Sequence, residues 1–178
     1  MTPINRLVPW LIAALVIIFD LMTKLLIVGS MDLHQSIPVL GDAVRLTYIH
    51  NDGLAFGIDT PLGRWHGVFS LVASIIIIIL LIRLKSEPTL HRLLLGVIMG
   101  GAIGNTIDRL LYGYVIDFID VDLPDWLMER WPVFNVADSA VSVGVTLLLI
   151  VMLFKPSQAK QENASDDKSH SEQSEELT

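Results

Sequence analysis

Apolar residues gather in four long runs, roughly Leu7–Val28, Trp65–Leu84, Leu90–Leu110 and Val133–Phe154. Each is close to the ~20 residues that carry a helix across a bilayer. Between the runs the pattern changes period. The connector from Gly29 to Arg64 contains Ala43–Ile49, rich in β-branched and aromatic residues, and then Asn51-Asp52-Gly53, a strong turn signal. The connector from Tyr112 to Pro132 starts strand-like at Tyr114–Ile119 and turns amphipathic, with Trp126, Leu127, Met128 and Trp131 suited to the lipid interface. This predicts an α-helical membrane protein with four transmembrane helices and a small β platform, to which Leu54-Ala55-Phe56-Gly57 would add a loop. Beyond Pro156 the apolar periodicity stops. The expected organisation is a membrane domain over residues 1–155 and a disordered acidic tail over 156–178.

Composition supports that class. Of 178 residues 52% are hydrophobic and 17% charged, with a mean hydropathy of +0.59, against about a quarter charged in a soluble domain. Arg6 ahead of the first run resembles the start of a signal peptide. The run continues past Asp20 to Val28 without a small-residue cleavage site, so it reads as a retained span. Arg6, Arg83, Lys85, Arg92, Lys155, Lys160 and Lys168 fall on one side, and Arg45, Arg64, Arg109 and Arg130 on the other across longer connectors. The positive-inside rule then places both termini in the cytoplasm and both long connectors, which are acidic, on the outward face. That acidity argues against nucleic acid or anionic lipid as a partner. No cysteine is present, which excludes disulfides and thiol chemistry. The five histidines are scattered without ligand spacing, so neither a metal nor another cofactor is expected.

Polar residues inside the spans add the chemistry, and they cluster toward the outward ends of spans one, three and four. Asp20, Thr23 and Lys24 share a helical face by their i, i+3, i+4 spacing, which reads first as an intramembrane ion pair that aids packing. Span two carries only Ser70 and Ser74 and reads as scaffold. Gly96, Gly100 and Gly104 recur every four residues, a pattern that lets a neighbouring helix approach closely. One turn on, Asn105, Asp108 and Arg109 again share a face. Arg109 could snorkel with Asp108 neutralising it, but Asn105 has no such role and points to a polar cavity. Asn135 and Asp138 are i, i+3 neighbours at the start of span four. Asp138 alone could be a solvated first-turn carboxylate and Asp117 alone a loop carboxylate. Both, however, are flanked by bulky apolar residues at one membrane edge, where an ionisable residue costs about 2.5–3.5 kcal/mol even on insertion scales. Two carboxyls brought together could activate water.

Five motifs occur in one order: Asp20-Leu21-Met22-Thr23-Lys24, Asn51-Asp52-Gly53-Leu54-Ala55-Phe56, Gly101-Ala102-Ile103-Gly104-Asn105-Thr106-Ile107-Asp108-Arg109, Val115-Ile116-Asp117-Phe118 and Phe134-Asn135-Val136-Ala137-Asp138. Together they closely resemble the lipoprotein signal peptidases, or signal peptidase II, of bacteria, over roughly residues 7–154. The resemblance implies an aspartic endopeptidase of the bacterial inner membrane, with four helices and an outward β-cradle. Such enzymes cleave diacylglyceryl-modified prolipoproteins just before the lipid-modified cysteine and are inhibited by globomycin. It also implies that Asp117 and Asp138 are the catalytic pair. Asn51, Asn105, Arg109 and Asn135 are then candidate donors to the substrate, supported by Asp20, Lys24 and Asp108. The apolar groove between spans would take the diacylglyceryl chains, with membrane lipid a further expected partner. The main rival from another class is a transporter or channel subunit, whose polar residues would have to continue toward the cytoplasmic half. They do not. A scaffold subunit would leave Asp117 and Asp138 without a purpose.

Overall fold

A computed structural model of the chain describes residues 3–53, 65–84, 89–123 and 130–154. Its elements are α1 (Pro3–Ser30), β1 (Ser36–Leu40), β2 (Val44–Asn51), α2 (Trp65–Arg83), α3 (Thr89–Leu111), β3 (Val115–Val121) and α4 (Val136–Leu153). Residues Met1–Leu148 make one compact unit; of the second, Leu149–Thr178, the described part is the last turn of α4 and Phe154. The loop over residues 54–57, the interfacial residues Trp126, Leu127 and Met128, and the tail at 156–178 lie outside the described residues.

All four helices are long and apolar enough to cross a membrane. They differ in burial: 61% of the α3 span is inside the protein, against 22%, 22% and 11% for α1, α2 and α4. The least apolar span is therefore the central one, and the most apolar spans present their side chains outward. That inversion suits a lipid surround, where apolar surface needs no burial. Small residues let α3 occupy the centre. A Cβ on Gly96 would lie 2.4 Å from the Pro9 carbonyl oxygen, and one on Gly100 2.6 Å from Val16 Cβ, so the four-residue ladder faces α1 as expected. Gly101, one position round, faces α4, where a Cβ would meet the Ala137 carbonyl oxygen at 2.4 Å. Gly144 returns the contact, with its Cβ position 2.6 Å from Ile98.

The platform is a three-stranded antiparallel sheet in the order β1-β2-β3. The two strand signals fall on β2 and β3, while β1 carries none of its own because Pro38 and full exposure leave Ser36–Leu40 without an alternating pattern. The sheet is tied to the C-terminal end of α1 through Ile27 and Met31, which pack with Tyr48, Ile116 and Phe118. Chain direction reverses between α3 and β3 at Gly113, in the left-handed region (φ 85°), whose amide bonds the Arg109 carbonyl at 3.1 Å. Ile49 stands opposite Asp117 and Asn51 opposite Val115. Asn51 and Asp117 are thus diagonal neighbours on one face. The fourth span starts at Val136, later than its apolar run, because Asn135 caps it.

Replacing Gly101 by Ala should lower stability by about 1–3 kcal/mol, the usual cost of overpacking, because backbone on α4 cannot yield as a side chain would. Gly29→Ala, where nothing lies within 4 Å, should leave it unchanged. Thermal unfolding of both variants in detergent checks the pair.

Candidate active site

The N-terminus of α4 organises the site. A helix start leaves amide N–H groups without intrahelical partners. Here Asn135 Oδ1 accepts the Asp138 amide at 2.9 Å, and Asp138 Oδ2 accepts the Asn135 amide at 3.2 Å. This is a reciprocal capping box built from Asn and Asp. Of the two amides between them, that of Ala137 is taken by Asp20 Oδ1 of α1 at 2.9 Å. Three orphan donors are satisfied, one of them by another helix.

Asn135 then faces the sheet. Its Nδ2 donates to Asp117 Oδ1 at 2.6 Å, to Asn105 Oδ1 at 3.0 Å and to the Ile116 carbonyl at 3.3 Å. Asp117 Oδ2 accepts Asn51 Nδ2 at 2.8 Å, and Asn51 turns that way because its Oδ1 is held by the Gly53 amide at 2.9 Å. Asp138 Oδ1 accepts Asn105 Nδ2 at 2.8 Å. Each carboxylate therefore has both oxygens held by neutral donors, and Asn135 touches both residues.

Behind Asn105 lies a buried ionic cluster. Lys24, 1% exposed, places its Nζ 2.7 Å from Asp20 Oδ2, 2.8 Å from Asp108 Oδ2 and 3.0 Å from Asn105 Oδ1. Asp108 Oδ2 also accepts the Ile116 amide at 3.2 Å, which fixes the strand immediately before Asp117. Thr23 shares the face of Lys24 but returns its hydroxyl to its own helix, at the Asp20 and Phe19 carbonyls.

A cavity of about 530 Å³ opens on this network. Asn51, Asn105, Arg109 and Asp138 stand on its wall, and the rest is mostly apolar. Arg109 donates from Nη2 to the Gly53 carbonyl at 3.3 Å. Asp117, with no exposed surface, sits behind the wall. Burial first, and then the charge of Asp138, raise its carboxyl from the ordinary carboxylate range to about 7. Such displacement directly behind a cavity wall marks a functional candidate.

Comparison with known proteins shows the family. Residues 12–154 match the family model described as signal peptidase (SPase) II. The chain belongs to the signal peptidase II family. A lipoprotein signal peptidase of Alteromonas mediterranea is 38% identical over 93% of this chain and 91% of its own length. One from Syntrophotalea carbinolica is 41% identical over 79% and 87%, and one from Burkholderia thailandensis 40% identical over 82% and 87%. A solved bacterial membrane enzyme superposes with a TM-score of 0.72 at 34% identity, covering 84% of this chain and 90% of that one. Membership makes the chain an enzyme, a membrane aspartic peptidase.

Among signal peptidase II features anticipated from sequence, Asp20, Lys24, Asn51, Asn105, Asp108, Asp117, Asn135 and Asp138 join one hydrogen-bonded network, and Arg109 flanks it. Two features escaped sequence reasoning. Ser70 and Ala73 of α2 line the cavity, so that helix does more than scaffold, a role whose only signal was two small residues at i, i+3. The extended segment Trp131–Phe134 forms another wall, held by Phe134 pairing with Ile119 and by the Trp131 amide on the Val121 carbonyl.

The displaced Asp117 has a consequence for stability. Its proton is bound more tightly in the folded than the unfolded chain, so stability falls as pH rises from about 4 to 7 and levels off above. The stability of Asp117→Asn relative to the natural protein should therefore rise across that window and stay constant beyond it, as read by thermal unfolding at pH 5, 7 and 8.

Proposed function

We propose that this chain removes the signal peptide from diacylglyceryl-modified prolipoproteins, cleaving just before the lipid-modified cysteine, with Asp117 and Asp138 as its catalytic dyad. The observation that carries the dyad is that one residue, Asn135, hydrogen-bonds both, by its side chain to Asp117 and by its amide to Asp138. Relatives named lipoprotein signal peptidase support the substrate class. The work belongs to residues 1–155. The positive-inside pattern supports placement in the inner membrane, with both termini cytoplasmic and the site at the periplasmic face.

Two nearby carboxyls share one proton more cheaply than they carry two charges. The proton is assigned to Asp117, which is wholly buried and titrates near 7. Asp138 faces the cavity from the first turn of a helix, where a negative charge is favoured. Asp138 takes a proton from water as its oxygen attacks the scissile carbonyl, while Asp117 gives its proton to the carbonyl oxygen. The tetrahedral intermediate then collapses. Its hydroxyl proton returns to Asp117, Asp138 protonates the departing nitrogen, and the C–N bond breaks. Arg109 and Asn51, on the cavity wall, are placed to donate to substrate carbonyls. The apolar wall and surrounding lipid receive the acyl chains, at about 0.8 kcal/mol per buried methylene.

Asp117→Asn and Asp138→Asn, each alone, should lower cleavage of a lipid-modified precursor by at least about 10²-fold, the low end for acid–base groups, while the protein stays folded in the membrane. Near-natural cleavage by either variant would sink the dyad. The rate should decline above about pH 7, as Asp117 loses its proton. Activity should persist in EDTA, and globomycin should block it.

A further inference from the structure

The direction of the Asn105 amide is decided from behind. Its Oδ1 lies 3.0 Å from Lys24 Nζ and 3.0 Å from Asn135 Nδ2, while its Nδ2 lies 2.8 Å from Asp138 Oδ1. An ammonium only donates and an ionised carboxylate only accepts. Turning the amide over would set Nδ2 against two donors and Oδ1 against the Asp138 oxygen, so all three bonds would become repulsions. Of the two groups that set the direction, Asn135 is itself an amide, oriented by the Asp138 backbone N–H. Lys24 cannot reverse under any rotation.

Lys24 is also enclosed by acceptors. Asp20 Oδ2 and Asp108 Oδ2 form ion pairs with its ammonium, and Asn105 Oδ1 accepts a hydrogen bond from it, all within 3.0 Å. Two of them are carboxylates held elsewhere, Asp20 by the Ala137 amide and Asp108 by the Ile116 amide. The ammonium is thus fixed by α1, α3 and, through those carboxylates, by the backbone beside each member of the dyad. Ion-pair packing alone would need only Asp20 and Asp108. The third bond, to a neutral amide that reaches the cavity, is the one packing does not require.

We propose that Lys24 is a positioning residue that fixes the direction of the Asn105 amide, so that Asp138 always meets an N–H donor and never a carbonyl oxygen. This rests on the dyad reading. Asp138 must hold one orientation while it alternates between base and acid, and a donor that could turn over would let the carboxyl rotate away from the water. Lys24 acts through Asn105 and touches no substrate.

The test is a double-mutant cycle on kcat and KM with a lipid-modified precursor peptide, using Lys24→Met, Asn105→Leu and the double variant. Each single change should lower kcat by at least about tenfold with KM nearly unchanged, the mark of an interaction expressed in the transition state. In the Asn105→Leu background, adding Lys24→Met should change kcat by less than about twofold, since the residue through which Lys24 acts is gone. Losses that multiply would overturn the proposal and leave Lys24 a packing residue, as would an unchanged kcat in Lys24→Met. If Lys24→Met does not accumulate folded, adding Asp20→Asn and Asp108→Asn removes both carboxylate charges left unpaired, while their amide oxygens can still accept the Ala137 and Ile116 N–H groups, and the same cycle is run on that background. Asp117→Asn and Asp138→Asn are assayed alongside. Should either cleave normally, the dyad reading fails; should both be inactive while the cycle is additive, only the role of Lys24 fails.

Discussion

The first turn of α4 is the constraint from which the site follows. Amide N–H groups buried inside the protein have no water to turn to, and each left unsatisfied costs several kcal/mol. Asn135 and Asp138 satisfy two of them reciprocally. The Ala137 amide needs an acceptor from elsewhere, and Asp20 on α1 supplies it. That reach is possible only because Gly104 clears the way: a Cβ there would stand 2.6 Å from Asp20 Oδ2. A buried carboxylate then demands a countercharge, which brings in Lys24, and Lys24 in turn draws in Asp108 as a second ion-pair partner and Asn105 as a hydrogen-bond acceptor. Glycine spacing, ion pair and helix cap are one set of mutually required parts.

The choice of neutral amides around the two carboxylates has its own logic. Neither Asp117 nor Asp138 forms an ion pair among the described residues, although two cations lie close by. A cation in contact would hold its carboxylate ionised through the whole cycle. Asn51, Asn105 and Asn135 orient the oxygens without fixing which of them carries a proton. The charge of Lys24 is felt only through an intervening amide, and that of Arg109 is bonded to the Gly53 carbonyl. On the proposed mechanism, a group that changes protonation state twice per turnover is thereby kept in place but not committed.

Much of this was legible in the chain. The four spans follow from apolar length, and the ladder at Gly96, Gly100 and Gly104 correctly foretold close packing, because both depend on local composition. The i, i+3, i+4 groupings foretold which side chains share a face, since helical geometry fixes that. What sequence could not give was the partner across elements. The pairing of Asn51 with Asp117 depends on the β2–β3 register, which is interrupted by a bulge between Leu46 and Ile49. The bond from Asp20 to Ala137 spans 117 positions and has no local signal. β1 was missed for a different reason. Its five residues are all exposed, so burial imposes no alternation on them.

Burial separates the two aspartates in a way their motifs do not. Asp117 lies on a strand with no exposed surface, whereas Asp138 opens onto the cavity. A strand offers no dipole to a carboxylate, so Asp117 meets the cost of desolvation with two amide donors alone. Asp138 has a helix terminus and an accessible face. Equivalent residue types are thus made inequivalent by the elements that carry them, one on a sheet and one on a helix. The proposed acid and base, drawn from two identical side chains, require that asymmetry, and joining a sheet edge to a helix start at Asn135 is what provides it.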